Sequence, residues 1–97
     1  MNIQKMMKQA QAMQDRVQAE LTALEIEGSA GGGAVSVTLS GTKEMVSCRI
    51  DRDLVDVSDL EMLQGLFVAA AREAGRKVDA EVESRTSKLM AGMMPRF

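Results

Sequence analysis

The chain has 97 residues, 45% of them apolar, which excludes a disordered polypeptide and allows one domain with a modest core. Twelve basic against fourteen acidic side chains give a net charge of −2, opposite in sign to the usual nucleic-acid binder. There is no His, Tyr or Trp, the single Cys forbids an internal disulfide, and no apolar run approaches membrane length.

The opening, Met1 to Lys5, has no apolar signal core, so the expectation is a cytosolic protein. A first helix is expected over about residues 3–24. Ile3, Met6, Ala10, Met13, Val17 and Leu24 recur at three- and four-residue steps, and no Gly or Pro interrupts them. The spacing is nearly heptad, a seam suited to another helix. Nine Met across the chain supply adaptable volume in place of aromatics, either as core filler or as a surface for partner helices.

Residues 25–30, 34–40 and 44–51 read as three strands. Glu25-Ile26-Glu27 opens a short edge strand, and Gly31-Gly32-Gly33 makes a turn. That glycine run lacks the lysine and the spacing of a phosphate-cradling loop. Val35, Val37 and Leu39 then alternate with Ser36, Thr38 and Ser40, and Val46, Cys48 and Ile50 alternate with Ser47, Arg49 and Asp51. Two such runs around Gly41 make an antiparallel hairpin with one apolar and one wet face. Cys48 falls on the apolar face and is expected to be a buried small hydrophobe.

Asp51, Asp53 and Asp56 are closely spaced, but Asp56 and Met62 stand where a calcium loop needs Gly and Glu, so no metal site is read there. Ser58 and Glu61 form a capping-box pattern that opens a second helix over about residues 58–90. Its apolar half, Met62 to Ala74, is expected to be buried, and the half beyond Gly75 to project. Glu73/Lys77 and Glu81/Arg85 are spaced to pair along it. The tail from Ala91 to Phe97 is expected to be loose.

The helices are too long for the strands. A 22-residue helix is roughly 33 Å long and a 31-residue helix roughly 46 Å, whereas seven-residue strands span only about 23 Å. The surplus predicts an α+β homodimer with helical arms, its interface drawn from Met6, Met13, Val17, Leu63, Phe67 and Ala70. Without His, and with the one Cys on a strand, no general base or nucleophile stands out, and the expectation is a protein that is not an enzyme. What remains is the charge distribution. Residues 1–14 hold Lys5 and Lys8 and no acid, while residues 15–57 hold eight acids against four bases. Lys5, Lys8 and Gln9 share a face bordered by Gln4. Cations in a first turn oppose the helix dipole, a cost that often marks function, and they suit phosphate contact. An ordinary solvated helix surface is the plainer alternative. Arg85 and Lys88 form a second basic group near the end of helix two.

The run from Met6 to Gln14, the strand Gly33 to Gly41, the Ile50-Asp51 step and the Leu66 to Ala71 segment together resemble the YbaB/EbfC family of bacterial nucleoid-associated proteins. The likeness spans nearly the whole chain. It implies a tweezer-like homodimer whose arms bind double-stranded DNA in the cytoplasm and nucleoid, altering DNA conformation and contributing to nucleoid organisation and gene regulation. No cofactor, no membrane and no small-molecule substrate are expected. The likeness places the DNA contacts at Lys5, Lys8, Gln9 and Gln4, with Arg85 and Lys88 as a weaker carry-over. The other class consistent with the residues is a protein–protein adaptor using the Met-rich face of the first helix.

Overall fold

A computed structural model describes residues 2–93 and shows helix α1 (Ile3–Ala23), strands β1 (Ile26–Ala30), β2 (Val35–Leu39) and β3 (Met45–Ile50), and helix α2 (Leu60–Met93). This is the expected α+β order. Ala91 to Met93 continue α2 instead of loosening from it, and the remainder of the expected loose tail lies outside the described residues.

Asn2 starts α1, its side-chain oxygen accepting the Lys5 N–H at 3.2 Å. The far end of α1 is tied to the sheet by one carbonyl. Leu21 C=O accepts the N–H of Leu24 at 3.2 Å and that of Gly41, in the β2–β3 turn, at 2.9 Å. A Cβ on Gly41 would lie 2.5 Å from that carbonyl oxygen, so only glycine permits the contact.

The sheet is antiparallel with β2 in the centre. Gly31, Gly32 and Gly33 all take positive φ in the β1–β2 turn, which suits a glycine run. In the β2–β3 turn the left-handed residue is Lys43 (φ 65°), and the Ser40 hydroxyl accepts the N–H groups of Thr42 and Glu44.

Alternation along β2 puts Val35, Val37 and Leu39 under α2, where they meet Ala70, Ala74 and Val78 to form the core. The helix residues at the contact are small, so α2 lies very close to the sheet. A Cβ on Gly28 of β1 would fall 2.2 Å from the Ala74 backbone nitrogen. On the β1 side, the Lys77 ammonium donates to Glu27 C=O at 3.0 Å and pairs with Glu73 at 3.3 Å. Lys43 pairs with Asp79 at 2.7 Å at the opposite turn.

Resting on β1 and β2, α2 leaves β3 without a cover: all six β3 residues are exposed. Cys48, expected to be buried, is therefore exposed. It does share the apolar face, opposite Val37 in register; one helix is too narrow to shield the third strand. The first half of α2 is likewise less buried than expected. Ala70 and Ala74 are covered, but Met62 and Val68 are exposed. The cover instead extends past Gly75 to Val78, and α2 runs beyond the sheet only from about Val82.

The start of α2 also differs from expectation. Asp59 is the cap, its carboxylate accepting the Met62 N–H at 3.1 Å. Ser58 instead donates its hydroxyl and its N–H to Asp56, at 2.6 and 2.9 Å. These two hydrogen bonds, the hydroxyl first, hold the Asp56 carboxyl below its ordinary range.

The radius of gyration is 19.0 Å, against about 12.5 Å for a compact domain of this length, and the molecule is 67 Å long. The length surplus is thus present in the folded protomer.

Two substitutions test this packing by chemical denaturation. Gly28→Ala should cost about 3 kcal/mol, because backbone must move to admit the methyl group; Gly65→Ala, with open space around it, should gain up to about 1 kcal/mol of helix propensity. Asp59→Ala should cost about 1 kcal/mol through the lost cap, whereas Ser58→Ala should leave the helix start intact.

Candidate nucleic-acid interface

Beyond the sheet, α1 and the end of α2 form an arm. Val17 and Leu21 of α1 face Val82 and Leu89 of α2 across an open cleft of about 370 Å³, rimmed by Arg85 and Lys88. α1 contributes no buried residue to the protomer core. Its large apolar side chains stay in solvent: Ile3 is 68% exposed, Met6 54% and Met13 56%.

Lys5, Lys8, Gln9 and Gln4 lie on the outer part of α1, all exposed. Neither lysine has an ion partner among the described residues. Lys8 stands roughly 14 Å further along α1 than Val17, by the helical rise. Arg85 and Lys88 are therefore on the same arm as Lys5 and Lys8, but nearer its root. Arg85 is engaged with Glu81 at 3.0 Å, while Lys88 has no ion partner among the described residues.

Charge is graded along the arm. The outer part, residues 3–14 and 89–93, carries Lys5 and Lys8 and no acid. The root, residues 15–23 and 80–88, carries four acids against Arg16, Arg85 and Lys88. The body between, residues 24–79, carries ten acids against six bases. Cationic side chains facing solvent at one end of a long helix are equipped for phosphate contact, and the acidic body is not. Among the described residues, no group of three or more His, Cys, Asp or Glu is placed to hold a metal ion, and no helix is long and apolar enough to cross a membrane.

The six residues expected at a dimer interface do not share one surface. Met6 and Met13 are on the arm, and Val17 lines the cleft. Leu63 and Phe67 are half-buried against the protomer's own core, at the other end of α2, and Ala70 is fully buried in that core. A second apolar surface went unnoticed in the sequence. On β3 and in the segment after it, Met45, Val46, Ile50, Leu54 and Val57 are all exposed. Period-two alternation showed the β3 face to be apolar, but it carried no information on how much of the sheet one helix would cover.

The family model described as the YbaB/EbfC DNA-binding family matches residues 1–93. A nucleoid-associated protein of Xanthomonas campestris pv. campestris (strain B100) is 50% identical over 95 residues, covering 95% of this chain and 88% of the relative. One of Clostridium novyi (strain NT) is 47% identical over 96 residues, covering 96% and 84%. The crystal structure of an uncharacterized protein from Helicobacter pylori has the same fold, with a TM-score of 0.71 at 20% identity over 93% of this chain and 98% of that one. With a match across the arm, the sheet and the second helix alike, the chain belongs to the YbaB/EbfC DNA-binding family.

Proposed function

We propose that the protein binds double-stranded DNA without catalysis, through the outer parts of paired arms in a homodimer, and so shapes the bacterial nucleoid and the genes within it. The observation that carries this reading is the acid-free end of a projecting arm, with Lys5 and Lys8 free of ion partners among the described residues. Gln9 and Gln4 supply neutral hydrogen bonds beside the lysines, and Arg85 sits further back as a second-line cation. No cluster of Arg and Asn is set aside for base edges, so phosphate contact dominates and affinity falls steeply with salt. The acidic body repels the duplex and keeps it at the arm ends.

The same reading puts the dimer seam at the uncovered lane of β3. Leu66 and Lys77 mark the side of α2 that meets β1; by the helical repeat, Phe67 and Ala71 lie on the side overlooking β3. With Ile50 and Val46 they border a corner open to a second copy. An apolar face of this kind, on the short third strand of a small sheet, is the usual signature of an interface. Two protomers joined there leave both α1 helices free for DNA, and the protein works in the cytoplasm, on the nucleoid.

Lys5→Ala/Lys8→Ala should keep its circular dichroism spectrum and lose most of its affinity in a DNA mobility shift. Its log affinity should depend less on log salt, by about one unit for each phosphate contact removed. A folded variant that binds as the parent does would take α1 out of the site. Ile50→Asp should sediment as a folded monomer at concentrations where the parent is dimeric.

A further inference from the structure

We infer that the end of α1 enters the major groove of the duplex and reads A·T pairs there through Gln4, Met7 and Gln11. The inference rests on the DNA-binding reading above and deepens it, adding a sequence preference to the phosphate contacts of Lys5 and Lys8.

The shape of the arm admits a groove. α1 reaches about 21 Å past Val17 to Ile3, whereas α2 reaches only about 6 Å past Leu89 to Met93. Among the described residues the first turns of α1 therefore stand as a single rod, and every residue from Ile3 to Arg16 is exposed. With its side chains such a rod is about 10–12 Å across, and the major groove is about 12 Å wide.

One face of the rod carries the complement of a base-pair edge. Gln4, Met7, Lys8 and Gln11 are neighbours at three- and four-residue steps and form one patch. The patch is centred roughly 110° around α1 from Val17 and Leu21, so α2 does not stand in its way. Met7 belongs neither to the near-heptad seam nor to the cleft, yet it is 67% exposed. Its neighbours decide what it fits. A partner helix packed there would bury an ammonium and two amides. The groove instead offers each group its counterpart: phosphate for Lys8, the adjacent donor and acceptor of adenine for a Gln amide, and the thymine methyl group for the Met7 thioether. Gln11 is already oriented, its Nε2 donating to Asp15 Oδ1 at 2.9 Å, while its carbonyl and second N–H remain available. Asp15 is the first acid along α1 and marks where contact with the polyanion ends. Adenine and thymine belong to one pair, so the amides and the thioether select the same sites.

The test compares three duplexes of equal length by fluorescence anisotropy at one salt concentration, about 0.1 M. They are alternating A·T, the same duplex with deoxyuridine in place of thymidine, and alternating G·C. The parent chain should bind A·T at least about fivefold more tightly than G·C, where the amide contacts are lost. Removing the thymine methyl groups should weaken binding about fourfold. Met7→Ala should bind the thymidine and deoxyuridine duplexes equally, with helicity unchanged, whereas a merely structural role for Met7 would weaken both alike. Gln4→Ala/Gln11→Ala should lower the preference for A·T over G·C at least about threefold and keep the response to the methyl group. Lys5→Ala/Lys8→Ala reports on the underlying reading and should weaken all three duplexes by the same factor. Equal binding of the parent to the three duplexes, or a methyl response that Met7→Ala retains in full, overturns the inference; loss of affinity in the lysine variant then leaves the DNA-binding reading in place. A lysine variant that binds all three as the parent does overturns both.

Discussion

The architecture depends on one close approach, that of α2 to the β1–β2 pair. Gly28 in the strand and Ala70 and Ala74 in the helix have no bulk to hold the two apart, so the helix backbone sits where a strand side chain would otherwise be. That contact fixes α2 laterally, and two consequences follow. A helix held tightly over two strands cannot also shelter the third, so β3 keeps its apolar side in solvent. A helix registered by Ala70, Ala74 and Val78 must also run past the sheet with its last turns, creating the arm's second wall. The exposed lane and the projecting arm are thus two results of the same small-residue packing.

Much of this was legible in the residues because the relevant signals are local. Alternation located β2 and β3, three consecutive glycines located the first turn, and the length of the helices relative to the strands implied a projection. The errors share a physical origin. Cys48 and the Met62 to Ala74 segment were expected to be buried because each lies on an apolar face, but burial also requires something to lie over that face. Periodicity reports the direction of a side chain and is silent on the width of its cover. The capping error is of another kind. Ser58, Asp59 and Asp56 compete for the same few backbone N–H groups, and the pattern Ser58…Glu61 fits the residue letters as well as the Asp59 cap does. Only the conformation of the turn decides between them.

The candidate site was partly readable for the same reason. Lys5 and Lys8 stood out because no acid accompanies them, a property of composition along one helix. That Arg85 and Lys88 stand on the same arm as Lys5 and Lys8 required knowing that α1 and the end of α2 meet at the cleft, with residues more than sixty positions apart facing each other. A net charge of −2 is therefore a poor guide to the partner. The molecule separates its charges along its length, and a polyanion meets the end before it meets the body.

Among the described residues, one backbone hydrogen bond, from Gly41 N–H to Leu21 C=O, ties α1 to the sheet, and it has a mechanical meaning. With no buried side chain on α1, that hydrogen bond marks the point where the rod joins the body. On a rod about 30 Å long, a turn of a few degrees at that pivot would move the far end by about 2 Å and leave the helix–sheet contact as it is. A joint of that kind suits a chain of a DNA-binding family, since it changes the reach of the arm without repacking the body.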